Sequence, residues 1–200
     1  MSQYIIMTDS SCDLPAGLAA ELELEVLPLS VLIDGKSYVN YLDERDITFA
    51  DCYAALRAGK NATTSAVNVE AFVQAMEPHL QAGEDILYLG FSSALSGTYN
   101  AGAVAAQQLA EKYPERKLYA VDTLSASMGQ GLLVYLTVQQ KRAGATIEQA
   151  RDYAEAQKLH LCHWFTVDDL NHLHRGGRVS ATSAVLGTVL NIKPVLHMDN

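Results

Sequence analysis

The chain has 200 residues, of which 49% are hydrophobic and 18% charged, and its formal net charge is −9 at pH 7. This apolar content excludes a disordered protein, and the length suits one domain, or one domain with part of a second. The negative charge excludes a general attraction to nucleic acid or to an anionic membrane surface. We therefore expect a folded globular protein with no nucleic-acid partner and no stable membrane insertion.

The three cysteines predict a reducing environment. Cys12, Cys52 and Cys162 are odd in number, widely spaced and outside any C-x-x-C frame, which favours free thiols. The amino terminus has no basic region, and the apolar run Ile5–Met7 is much too short for a secretion signal or a membrane span. The sequence therefore predicts a cytoplasmic protein.

Short apolar runs alternate along the chain with longer helical patterns, which is typical of an α/β protein with a largely parallel, Rossmann-like sheet. In chain order the predicted elements are strand Tyr4–Thr8, a helix capped by Asp13 and ending near Leu24, strand Val26–Ile33, an Asp34–Gly35 turn with the returning strand Lys36–Val39, a helix from Thr48 to Gly59, helix Val69–Ala82 capped by Asn68, strand Asp85–Gly90, a helix ending near Lys112, strand Lys117–Val121, helix Met128–Arg142, a helix from Thr146 to near Leu159, strand Leu161–Val167, helical segment Ser183–Leu190 and extended segment Lys193–Met198.

The last extended segment stops almost at the end of the sequence. A terminal strand without a partner has little reason to become ordered, so we expect a fragment of a longer protein. The predicted organisation is an amino-terminal α/β domain over residues 1–165, followed over residues 166–200 by the beginning of a second α/β domain.

Three of the predicted units share one order of parts: an apolar strand, a loop of Asp, Ser and Thr residues, and a helix. Their loops are Thr8–Ser11, Phe91–Ser96 and Asp122–Ser127. Such loops lie together at the carboxyl edge of a parallel sheet, where open α/β sheets bind ligands. The unpaired first amides of a helix and its dipole favour a carboxylate or phosphate there. Capping of the helices by the hydroxyls explains the same residues, and both interpretations stay open.

The segment Ser92–Thr98 is the most informative of these loops. It matches neither of the glycine-rich phosphate-binding motifs, G-x-x-x-x-G-K-[ST] and G-x-G-x-x-G, so no nucleotide or other cofactor is predicted. It also lacks the G-x-S-x-G motif of hydrolases. It has no neighbouring Lys or Arg, and hydroxyls alone suit a carboxylate better than a triphosphate. A second hydroxyl cluster, Thr63–Ser65, is predicted to lie in a loop between two helices, before the Asn68 cap.

The histidines do not predict a metal site, because neither Cys162–His163 nor the pair His172 and His174 has the spacing of zinc ligands. The segment Arg175–Arg178 is locally basic and could contact an anionic partner. A solvated glycine turn is the more common role of such a segment.

Several longer motifs, read together, resemble the DegV family of fatty-acid-binding proteins, in order and across the whole chain. The motifs are Thr8–Asp13, Leu27–Val31, Thr64–Ser65, Ser92–Asn100, Val121–Thr123, Asp168–Ser180 and Ile192–Val195. The family usually has Gln-Pro after its second hydroxyl cluster, where this chain has Ala66-Val67-Asn68. Its members are also longer, with a carboxyl-terminal part that covers the ligand.

The resemblance implies a bacterial acyl carrier that binds a long-chain fatty acid and presents the carboxylate to a partner fatty acid kinase for phosphorylation. It implies that Thr63 and Ser93 hold the carboxylate, with Thr64, Ser92 and Ser96 as neighbours, and that the chain has no catalytic residue of its own. A long acyl chain needs an apolar tunnel, which contributes up to about 0.8 kcal/mol per buried methylene. Segments Ala101–Ala106 and Leu132–Leu136 could line one, although core packing explains them equally well.

Two other functions stay open from the residues alone. A serine hydrolase or acyltransferase would use Ser93 or Ser96 with a histidine as general base. A small-anion binder, for example of a sugar phosphate, would need a small polar cavity in place of a long apolar one.

Overall fold

The α/β rhythm of the sequence is present in the structure, a computed structural model that describes residues 3–167, 170–177 and 195–197. In chain order its elements are β1 (Tyr4–Asp9), a 3-10 turn (Ser10–Cys12), α1 (Ala16–Glu21), β2 (Glu25–Leu27), β3 (Leu29–Ile33), β4 (Lys36–Asn40), α2 (Phe49–Arg57), β5 (Ala62–Ser65), α3 (Val69–Gln81), β6 (Asp85–Gly90), α4 (Thr98–Lys112), β7 (Leu118–Asp122), α5 (Ser127–Arg142), α6 (Ile147–Gln157), β8 (Trp164–Thr166), α7 (Leu170–Arg175) and β9 (Val195–His197).

The chain divides into two units, Met1–Leu161 and Cys162–Asn200. In the second unit β8 and β9 pair antiparallel, with Thr166 opposite Val195. The strand predicted over 161–167 is thus present over its central residues. The predicted helical segment 183–190 lies outside the described residues, and the domain boundary expected at residue 165 stays a prediction.

Four parallel strands form the main sheet of the first unit, in the order β2-β1-β6-β7. Helices cover both faces: Leu133 and Ile147, from α5 and α6, are buried in one core, and Phe72, Met76 and Leu109, from α3 and α4, in the other. Burial on both faces explains why β6 is a continuous apolar run, since strands of this kind do not alternate with polar residues. The predicted fold class is confirmed.

A second, small sheet pairs three strands antiparallel in the order β4-β3-β5. The single strand predicted over 26–33 is wrong, because it divides at Pro28 into β2 and β3, which belong to different sheets. Proline has no N–H for a sheet ladder, so a continuous central strand is unfavourable there. The next N–H, of Leu29, leaves the parallel sheet and donates to the Ser10 hydroxyl at 3.0 Å.

The structure confirms the predicted Asp34–Gly35 turn and the Asn68 cap, but not the Asp13 cap. Asp34 and Gly35 both have positive φ, 49° and 82°, as a tight two-residue hairpin requires, and Asn68 caps α3 by accepting from the Ala71 N–H. Asp13 does not cap α1: it has a left-handed φ of 50°, and the helix begins at Ala16.

Candidate functional site

Three loops meet at the carboxyl edge of the parallel sheet, as the sequence predicted. Backbone N–H groups of the loop after β6 donate to the last residues of β1 and β7 and to the loop after β7, in the pairs Phe91 to Asp9 Oδ2 (3.0 Å), Ser93 to Asp122 Oδ1 (3.2 Å) and Ser92 to the Ser125 carbonyl (3.0 Å). These three amides are therefore already used within the protein. They cannot bind a ligand without giving up these bonds, whereas anion binding by the first amides of α4, which begins at Thr98, stays a prediction.

Ser96 serves mainly as a helix cap. Its hydroxyl accepts from the Thr98 N–H at 3.2 Å and pairs with the Thr98 hydroxyl at 2.9 Å, at the beginning of α4. Ser92 is buried, and its carbonyl accepts from the amides of Leu95 and Ser96, which closes the loop on itself. Ser96 thus has the capping role that one interpretation of the sequence expected, and Ser92 has a structural role through its backbone.

Asp9 is a buried carboxylate at the end of β1, and sequence reasoning missed its role. Oδ1 accepts from the Ser11 N–H at 3.1 Å, and Oδ2 accepts from the Tyr88 hydroxyl and the Phe91 N–H, both at 3.0 Å. Burial, and then the charge of Asp9, raises the pKa of Tyr88 well above its usual value. The ring fits only because residue 102 is glycine, since a Cβ there would lie 2.5 Å from the ring.

Ser93 presents a free hydroxyl. The residue is exposed, and among the described residues its only hydrogen bonds come from its N–H. A hydroxyl that can donate to a carboxylate oxygen is therefore available in the loop after β6, beside the end of β7.

Thr63 and Thr64 lie in strand β5, so the predicted loop is wrong here. The segment pairs with β3, with Thr63 opposite Leu32 and Thr64 opposite Val31. Neighbouring strand residues point to opposite faces, so the two threonines do not share a face. Both are exposed, and neither hydroxyl makes a hydrogen bond within the described part of the chain. Thr63 shares its face with Leu32, whose exposure of 41% is high for so apolar a side chain.

Within the described part of the chain no hydrogen bond joins the threonines of β5 to the serines of the β6–α4 loop, but Ser10 links the two sheets that carry them. The Ser10 hydroxyl accepts from the Leu29 N–H and, at 3.2 Å, from the Asn40 side-chain amide. The end of β1 is thereby tied to β3 and β4. A hydroxyl directly after a buried strand was the available sequence signal, although it did not show which strand Ser10 would hold.

The two segments considered for an acyl tunnel are divided between core and surface. Ala105 and Leu133 are fully buried in the two cores, whereas Val104 and Leu132 are 44% and 46% exposed. Two cavities of about 150 and 450 Å³ lie beside the β3–β4 hairpin, and neither is lined by Thr63 or by the β6–α4 loop.

The described residues offer no general base to the loop serines, because no histidine is hydrogen-bonded to Ser93 or Ser96. His79 pairs instead with Glu84 at 2.7 Å. In the same part of the chain, no group of three or more His, Cys, Asp or Glu side chains could hold a metal ion. None of the helices described there has both the length and the apolar character needed to cross a membrane.

Comparison with known proteins supplies the family context. Residues 3–200 match the model of an uncharacterised protein family, the DegV family. A DegV domain-containing protein of Clostridium perfringens is 44% identical over 200 residues, which cover all of this chain and 68% of that protein.

Two solved structures are similar in fold and sequence. A fatty-acid-binding DegV family protein from Thermus thermophilus has a TM-score of 0.86 and 33% identity, covering 98% of this chain and 68% of its own. A stearic-acid-binding protein from Eubacterium ventriosum has a TM-score of 0.84 and 27% identity, covering 99% of this chain and 68% of its own.

Proposed function

The chain belongs to the DegV family, and from this premise we propose that it binds a long-chain fatty acid through hydroxyl groups at the carboxylate and apolar surface along the acyl chain. Fatty-acid binding by the Thermus thermophilus relative and stearic-acid binding by the Eubacterium ventriosum relative support the ligand class. The proposed head-group residues are Thr63 and Ser93, with Thr64, Ser92 and Ser96 as neighbours.

The observation that carries the proposal is the free hydroxyl of Ser93, in a loop where most of the amides, including that of Ser93, already donate within the protein. The segment Phe91–Asn100 contains no Lys or Arg, so recognition there depends on hydrogen bonds more than on charge. A head group with two acceptor oxygens and a single charge suits this chemistry. A polyphosphate, which needs cations or several free amides, does not.

The exposed face of β5 supports the position of the second donor. Thr63 lies directly opposite Leu32 on that face, so a hydroxyl and an exposed apolar side chain are neighbours. A fatty acid has this same combination at its head: a carboxylate followed at once by methylenes. Covering Leu32 with methylenes contributes about 25 cal/mol per Å² of apolar area removed from water.

Titration of a long-chain fatty acid against the parent and single variants tests the proposal. We expect Ser93→Ala and Thr63→Ala each to weaken binding roughly ten- to hundredfold, because a hydrogen bond to a charged acceptor is lost. Thr64→Ala, on the opposite face of β5, should lose less affinity for the fatty acid. The thermal unfolding midpoint should stay unchanged in all three variants, since these hydroxyls make no hydrogen bond within the described residues.

The parent itself gives the decisive result. Failure of the parent to bind any long-chain fatty acid would contradict the proposed function. Full affinity in both Ser93→Ala and Thr63→Ala would leave the ligand class intact but contradict the placement of its head group.

We also propose that the chain is a binding subunit that presents the carboxylate to a partner kinase, and that it works in the cytoplasm. The absence of a base hydrogen-bonded to Ser93 or Ser96 among the described residues favours a carrier over a hydrolase. All three cysteines are free thiols, which suits a reducing compartment. Hydroxylamine trapping of an acyl phosphate, with ATP and the kinase present or absent, tests the first part: the chain alone should form none.

A further inference from the structure

Asp122 holds two loops at once at the end of β7. Its Oδ1 accepts from the Leu124 N–H at 3.1 Å, within its own loop, and from the Ser93 N–H at 3.2 Å, across the crevice. Oδ2 lies 3.4 Å from the same Ser93 nitrogen. Leu124 has a left-handed φ of 52°, a conformation that a leucine rarely adopts without support. One carboxylate therefore fixes both its own turn and Ser93.

Ser93 makes no other hydrogen bond among the described residues. Its neighbour Ser92 is anchored by the Ser125 carbonyl, and Ser96 is held by the Ser92 carbonyl and by Thr98. Removal of the Asp122 carboxylate would leave these hydrogen bonds of Ser92 and Ser96 in place and would release only the N–H groups of Leu124 and Ser93. The Ser93 N–H would turn toward solvent, and with it the direction of the Ser93 hydroxyl would change.

We propose that Asp122 is a positioning residue for head-group recognition: by holding the Ser93 N–H, it directs the Ser93 hydroxyl toward the ligand. This inference rests on the proposed function, because it gives that hydroxyl its task. Asp122 itself does not touch the ligand in this arrangement. A carboxylate is suited to the holding role, since a charged acceptor makes the stronger hydrogen bond to an N–H.

The experiment compares affinities for a long-chain fatty acid and for its methyl ester, which has the same chain and no carboxylate. In Asp122→Ala we expect the affinity for the acid to fall about tenfold, while affinity for the ester stays within about twofold. Asp122→Asn keeps an oxygen at the Oδ1 position and should retain most of the acid affinity. Asp152→Ala, the same change at an exposed aspartate that pairs with its neighbour Arg151, is the matched control.

A double-mutant cycle separates positioning from a general structural role. Because Asp122 acts through Ser93, the variant Ser93→Ala/Asp122→Ala should bind the acid no more than about twofold more weakly than Ser93→Ala alone. A further tenfold loss would show independent effects and overturn the inference. So would equal losses of acid and ester affinity in Asp122→Ala, which indicate general damage to the fold.

Binding by the parent protein tells failure of the proposed function apart from failure of the positioning role. If it binds neither acid nor ester, the proposed function fails and the inference fails with it. If the parent prefers the acid and Asp122→Ala keeps that preference in full, the positioning role alone is contradicted.

Discussion

The parallel sheet and the small antiparallel sheet support the two proposed head-group donors in very different ways. β6 is buried along its whole length, and the loop that follows it is fixed by buried Asp9 and by Asp122. β5 is an edge strand of the small sheet, and Thr63 lies on a face where Leu32 is exposed. The contrast teaches that the fold itself sets the position of Ser93, whereas the face of Thr63 gains burial only when something covers it.

The largest expected effect tests how tightly the parallel-sheet region is packed. In Gly131→Ala the new Cβ would lie 2.6 Å from the Cys12 backbone carbonyl, which cannot move without shifting the turn after β1. We expect a loss of about 3 kcal/mol in the free energy of unfolding, measured with urea. Gly17→Ala in α1 is the control, because nothing lies within 4 Å of its Cβ. Equal stability of the two variants would contradict the tight packing.

The second prediction concerns the buried carboxylate beneath the loop. Tyr88→Phe removes one of three donors to Asp9, so a buried charge loses a hydrogen bond, and we expect a loss of about 2 kcal/mol in urea unfolding. The matched variant is Tyr99→Phe, whose hydroxyl makes no hydrogen bond among the described residues. If both variants lose the same free energy of unfolding, the hydrogen bond from Tyr88 to Asp9 does not stabilise the fold as expected.

In the small sheet, the turn between β3 and β4 depends on the backbone conformation of Gly35. Gly35 has a φ of 82° and open space around its Cβ, so Gly35→Ala suffers from backbone strain alone, about 1–2 kcal/mol. Gly35→Asn should recover part of this loss, because asparagine tolerates the left-handed conformation. Thermal unfolding of both variants measures the difference. A loss of unfolding free energy as large as that of Gly131→Ala would contradict the expected difference between the small sheet and the parallel-sheet region.

The smallest effect is expected on the surface of the parallel-sheet region. An ion pair with Lys117 lowers the pKa of Glu148 from 4.5 to about 2. A lowered pKa in the folded state means that the pair stabilises above pH 4.5 and that this contribution is lost as the pH falls through about 2. Glu148→Gln should therefore lower the unfolding midpoint slightly at pH 7 and not at pH 2. A difference between the two unfolding midpoints that persists at pH 2, or that is unchanged in 1 M salt, would contradict the ion pair's role.

The parallel sheet could be predicted from the sequence because its signals are local. Continuous apolar runs marked β1, β6 and β7, and the caps Thr48, Asn68 and Thr146 each accept the hydrogen bond that their residue type suggested. The convergence of three hydroxyl-rich loops followed from topology alone, since parallel strands end at one edge.

The details of the site could not be predicted because they depend on contacts between distant segments. Thr63–Ser65 has the composition of a turn, and only its pairing with β3 makes it a strand. The Asp9 carboxylate accepts from Tyr88 and Phe91, about eighty positions further along the chain. Nothing in the local pattern indicated that Asp9 and Asp122 would accept from the Phe91 and Ser93 amides.

Native mass spectrometry of the protein as purified, before any lipid removal, tests fatty-acid binding most directly. We expect a bound species with the mass of a long-chain fatty acid, lost in parallel from Ser93→Ala and Thr63→Ala and retained in the folded control Asp152→Ala. A parent that carries no such species, and that takes up none when long-chain fatty acids are added, would contradict the account.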